Sequence, residues 1–97
     1  MYAIAIIRYR RPLEEVLLLV DAHRAYLKAL AEKGILLASG PLDPRSGGAL
    51  LLRVPDEGTI EALDAVRDGD PFVHARAAQY ELLPWKPTIG LEKLDGI

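Results

Sequence analysis

Few side chains in this sequence of 97 residues can move a proton near neutral pH. There are two histidines, His23 and His74, and no cysteine, so thiolate catalysis, disulfides and cysteine–zinc sites are excluded. On a helix, His23 would have Leu19, Val20, Tyr26 and Leu27 as its near neighbours, which places its imidazole on the apolar stripe. An imidazole there must find a partner. Two roles fit: a core histidine satisfied by a carbonyl or water, or a general acid–base whose second nitrogen is oriented by a carboxylate. His74 has no comparable context and reads as a surface or strand-entry residue. Asp70 and His74, four residues apart, offer only two metal ligands, which is not a site.

The stretch "RDGDPFVHA", residues 67–75, holds the best-placed carboxylate. Asp70 precedes Pro71 and reads as a helix N-cap with proline at the first helical position. Pro71 also biases Asp70 toward extended backbone. Gly69 is expected to turn the chain sharply, returning Asp70 toward the helix that carries His23. Asp68 reads as a solvated helix end. In "ASGPL", 38–42, Ser39 and Gly40 stand at a strand end where small residues let a ligand come close. No phosphate-binding loop, dinucleotide fingerprint, serine-hydrolase elbow or HExxH pattern is present.

These residues sit in a chain of single-domain length, 1–97, with 51% hydrophobic and 27% charged residues. The net charge of −2 gives no broad attraction to nucleic acid or to anionic membranes, and the tyrosines are too scattered for a base-stacking platform. Arg8, Arg10 and Arg11 form the one basic cluster and read as a solvated strand end. No apolar run approaches the ~20 residues of a membrane span. The N-terminus carries its charges after its apolar run, unlike a secretion signal. A cytoplasmic location is expected.

The elements that position the site follow from pattern. "YAIAIIRY", 2–9, predicts a central strand. Pro12 opens a helix over 13–33, with a weak point near Asp21, Arg24 and Lys28 on its wet side, and Gly34 at its end. Strands at 35–42 and 49–54 flank a turn-rich loop, 43–48. A helix at 59–69 buries Ile60, Leu63 and Val66 and stops at Gly69. The last strand, 77–85, exits at Pro84. The tail, 86–97, lacks periodicity and is expected either to wrap over a partner or to lie loose. The order βαββαβ predicts an α+β, ferredoxin-like domain: a four-stranded antiparallel sheet with two helices on one face. Its strands are apolar on both faces, so the bare face is expected to pack on a second copy, giving a homodimer.

"HRAYL" at 23–27, "GILLASGPL" at 34–42, "DPF" at 70–72 and "LLPW" at 82–85, in this order and spacing, resemble the YciI-like (YCII-related domain) proteins. The resemblance runs from about residue 2 to Trp85. The chain departs from it in its short loop at 43–48 and in its tail. The resemblance implies a dimeric α+β barrel with a histidine–aspartate pair in a pocket, carried here by His23 and Asp70. One relative is a dehydrochlorinase of a chlorinated hydroxymuconate, and muconolactone isomerases share the wider fold. It therefore implies a cofactor-free lyase or isomerase that transfers a proton on a small acidic, unsaturated substrate. His23 would shuttle the proton and Asp70 would orient it. Ser39 and Arg8 would contact the substrate, Arg8 because an anion needs a cation. The alternative is a non-catalytic ligand-binding or structural dimer in which His23 and Asp70 are a buried stabilising pair. An oxygenase on the same fold is a third reading.

Overall fold

In the computed structural model, which describes residues 1–97, strand β1 (Tyr2–Tyr9) runs through the middle of the sheet. The chain continues through α1 (Leu13–Leu17), α2 (Val20–Glu32), β2 (Leu36–Pro41), β3 (Gly47–Arg53), α3 (Thr59–Gly69), α4 (Pro71–His74), β4 (Ala78–Trp85) and α5 (Leu91–Asp95). The sheet is antiparallel with order β2-β3-β1-β4, the arrangement two split crossover units produce. This is the expected ferredoxin-like α+β fold.

Alternation along β1 sets the two faces. Ala3, Ala5 and Ile7 are buried in the core cluster that also holds Val16, Leu27, Leu30, Leu63 and Val66 from the helices. Tyr2, Ile4, Ile6 and Arg8 point to the opposite face. Ile4 lies in register with Leu51 on one side and Leu83 on the other. That second face is therefore apolar at its centre.

Several boundaries differ from the sequence reading. The first helix breaks at Leu18 and Leu19, before Asp21, and Leu18 projects 84% exposed at the break. Gly47 and Gly48 belong to β3 and not to the loop. A Cβ on Gly47 would lie 1.7 Å from the Ile7 carbonyl oxygen, so glycine there allows β3 to approach β1. Ile60 is 64% exposed, at the end of a groove shared with Leu82 and Pro84, leaving Leu63 and Val66 as the buried stripe of α3. Strand β4 runs through Pro84 to Trp85. It is an edge strand, where a proline's missing N–H costs no ladder bond if it faces outward.

The tail folds onto its own sheet. Tyr2 donates its hydroxyl hydrogen to Asp95 at 2.6 Å, and the Arg53 guanidinium donates to the Tyr2 oxygen at 2.6 Å and to the Leu94 carbonyl. Helix α5 thus covers one end of the second face, over Tyr2.

Candidate active site

Helix α4 is a single turn, and Asp70 begins it. Its backbone is extended (φ −76°, ψ 126°), as the following proline requires, and its Oδ1 accepts from the Phe72 N–H at 2.8 Å. The cap is 0% exposed, which is unusual for a carboxylate. Two side-chain donors compensate its burial. Nδ1 of His23 lies 2.9 Å from the carboxylate, and the Tyr80 hydroxyl donates to Oδ2 at 2.5 Å. Burial, and then the adjacent Asp70 charge, push the Tyr80 phenol well above its usual pKa, so it remains a donor.

Gly69 positions this group in a way that turn chemistry does not describe. Its φ is not in the left-handed region, and a Cβ there would meet the Tyr26 hydroxyl at 2.5 Å. The missing side chain makes room for Tyr26, whose hydroxyl donates to the Val66 carbonyl at 2.7 Å. This contact ties α2 to α3 one turn from His23 and next to Asp70. Burial, with Asp70 and Asp68 nearby, raises the Tyr26 pKa.

The His23 ring stacks on Phe72, with centroids 3.9 Å apart and planes 8° from parallel, and Tyr9 meets the other ring of this pair edge-on at 6.0 Å. With Nδ1 given to the carboxylate, the network assigns the ring hydrogen to Nδ1. Nε2 then offers its lone pair. It has no partner within the chain and is not sealed in the core, so it opens to the cavity that His23 lines.

That cavity measures about 200 Å³. Helix α2 supplies Val20, His23, Arg24 and Leu27, spaced as one helical face. From β1 come Ile7 and Tyr9, and from the β2–β3 hairpin Ser39 and Arg45. Ser39 reaches this side because of a bulge in β2. Leu36 pairs with Leu52, but Ser39 pairs with Leu50, so the extra residue places Leu36 and Ser39 on the same face.

The structure thus brings His23, Asp70 and Ser39 to one place. It does not bring Arg8 there. Arg8 alternates to the opposite face between Ile7 and Tyr9, is 60% exposed, and pairs with Glu81 at 3.3 Å. Arg24 and Arg45 are the arginines that line the cavity. Arg24 was legible in principle, since Val20, His23, Arg24 and Leu27 follow the i, i+3, i+4, i+7 spacing. Tyr80 carried no local signal, because it meets Asp70 only through the fold. Asp70 and His74 do not converge: His74 Nε2 bonds the Asp68 carbonyl at 2.5 Å, and no three His, Asp or Glu side chains cluster as metal ligands.

No curated protein matches the sequence. Among solved structures, the fold is similar to that of 5-chloro-2-hydroxyhydroquinone dehydrochlorinase (TftG) from Burkholderia phenoliruptrix AC1100, solved in complex with 2,5-dihydroxybenzoquinone. The TM-score is 0.73 at 23% identity, over 92% of this chain and 97% of that one. The named substrate of that dehydrochlorinase is a chlorinated hydroquinone, where the family resemblance suggested a muconate. The model of the YCII-related domain matches residues 1–86, nearly the whole chain, and the protein belongs to that family.

Proposed function

We propose that this chain is a cofactor-free lyase or isomerase that moves a proton on a small, acidic, unsaturated substrate. One observation carries the reading: Asp70 is buried and holds Nδ1 of His23, while Nε2 opens to a cavity large enough for one ring. His23 accepts a proton at Nε2 from an acidic C–H or O–H of the substrate. Asp70 holds the ring and stabilises the imidazolium that forms. The electron pair left behind forms a new double bond. If it expels a leaving group such as chloride, the reaction is an elimination. If a distant carbon takes the proton back from Nε2, the reaction is an isomerisation. Ser39 is placed to hydrogen-bond an oxygen of the substrate.

The fold neighbour supports the elimination branch, since its name describes loss of chloride from a hydroxylated ring. The test is chloride release from 5-chloro-2-hydroxyhydroquinone, alongside solvent-deuterium uptake into small unsaturated acids followed by NMR. Activity should fall at least about a hundredfold in His23→Asn. Activity that survives this substitution would overturn the role of His23.

A second reading has its own observation. Asp70 caps α4 and satisfies Tyr80 whether or not His23 does chemistry. In that reading the chain is a non-catalytic ligand-binding or structural module, and His23→Asn changes stability without any activity to lose.

A further inference from the structure

We propose that Arg24 and Arg45 form a two-cation clamp on the His23 cavity and select a ligand of single-ring size carrying two negative charges. The inference deepens the reading of this cavity as a substrate site and rests on it. Both arginines line the cavity. Neither has a carboxylate partner, whereas Arg8 and Arg11 elsewhere are each paired with one and Arg67 with two. Arg24 makes no side-chain hydrogen bond. Arg45 makes one, donating from Nε to the Tyr9 hydroxyl at 3.4 Å, which leaves its terminal nitrogens free.

No acid on the cavity wall offsets these charges. Asp70, the carboxylate bound to His23, is not among the lining residues; it is buried and already engaged by Phe72, His23 and Tyr80. Two guanidinium groups facing one space repel each other, and an anion between them removes that cost. Their planar donor forks suit carboxylate or enolate oxygens, each in bidentate fashion. Size narrows the class further. The cavity of about 200 Å³ exceeds the ~150 Å³ that holds a benzene ring, so one ring with small substituents fits. Apolar Ile7, Val20 and Leu27 suit the flat body of such a ligand.

The test is equilibrium binding of benzoate, isophthalate and terephthalate to the full chain by calorimetry at neutral pH and low salt. These probes share one ring and differ in the number and spacing of charges. The better dicarboxylate should bind about tenfold or more tighter than benzoate. Arg24→Ala and Arg45→Ala should each bring it to the level of benzoate, and the corresponding Lys variants should keep part of the preference. Both side chains are exposed at the cavity, and an unchanged thermal midpoint verifies that the variants are folded. Equal affinities, no binding of either dicarboxylate, or a preference that survives both alanine substitutions would overturn the clamp. His23→Asn should leave the preference intact, which separates the two readings. Preference without turnover in the native chain removes the proton-transfer reading alone. Turnover without preference removes the clamp alone.

Discussion

His23 and Asp70 are 47 positions apart in sequence, yet the imidazole Nδ1 lies 2.9 Å from the carboxylate, and the same carboxylate starts the helix that supplies Phe72 as the imidazole's stacking surface. One residue therefore fixes both the direction of the ring, through Nδ1, and its tilt, through the turn it caps.

Asp70→Asn separates charge from shape. Asparagine is as good an N-cap as aspartate, so α4 should persist. The amide cannot stabilise an imidazolium, and its NH2 can donate to Nδ1, which moves the ring hydrogen to Nε2 and removes the lone pair from the cavity. The expected outcome is a loss of kcat/KM of about a thousandfold or more, with a circular dichroism spectrum like that of the native chain. Activity within tenfold of native would remove Asp70 from the mechanism.

His23→Asn measures what the imidazole contributes to folding. Asp70 would keep the Phe72 N–H and the Tyr80 hydroxyl. The cost in denaturant unfolding is therefore expected near the lower end of ~1–3 kcal/mol, the range for a buried polar group that loses a partner. A loss well above that range would favour a structural role for the pair.

The sheet and most helices were legible because their signals are local. The strand at 2–9, the helix at 59–69 and the Asp–Pro cap each follow from a few neighbouring residues. His23 could be placed on an inward stripe for the same reason. What escaped depends on contacts between distant segments. Gly47 looks like a loop residue until the Ile7 carbonyl is seen where its Cβ would be. Ser39 faces the cavity only because β2 gains a residue against β3. Arg8 is rich in charge but has the wrong parity, and the cations that line the cavity, Arg24 and Arg45, lie on a helix and a hairpin whose meeting no local pattern records.

Alkaline pH should destabilise the fold through Tyr80. Its folded-state pKa is raised, by burial first and by Asp70 next. Below about pH 10 both folded and unfolded chains keep the phenol proton, so this group adds no pH dependence. As pH rises beyond that, the unfolded chain releases the proton and the folded chain holds it. Stability then falls by about 1.4 kcal/mol per pH unit for this one group. Tyr80→Phe should make the alkaline decline shallower by about one proton, while costing about 1–2 kcal/mol at neutral pH because Asp70 loses a donor. An identical alkaline slope in the variant would show that Tyr80 is not the titrating group.

The second sheet face should close on a second copy of the chain. Ile4 is in register with Leu51 and Leu83, and Ile6 with Ala49, so the centre of that face is a continuous apolar surface on three strands. Leu83 and Trp85 are 41% and 40% exposed in the single chain, values typical of residues awaiting cover. The tail bonds to the end of the face at Tyr2, through Asp95 and Leu94, and Ile4, Ile6 and Leu51 are only partly buried in the single chain. Arg8 and Glu81, bonded at 3.3 Å, give this face a polar border. A face of this kind suits an isologous dimer, in which the same patch serves both partners. Light scattering coupled to size exclusion is expected to give twice the 10.7 kDa of one chain at micromolar concentration. Leu51→Glu places a charge in the middle of the face without touching the core, and should return a folded monomer or a strongly concentration-dependent mass. A native chain that elutes as a monomer across the micromolar range would mean that this face tolerates water, and the dimer would have to be abandoned.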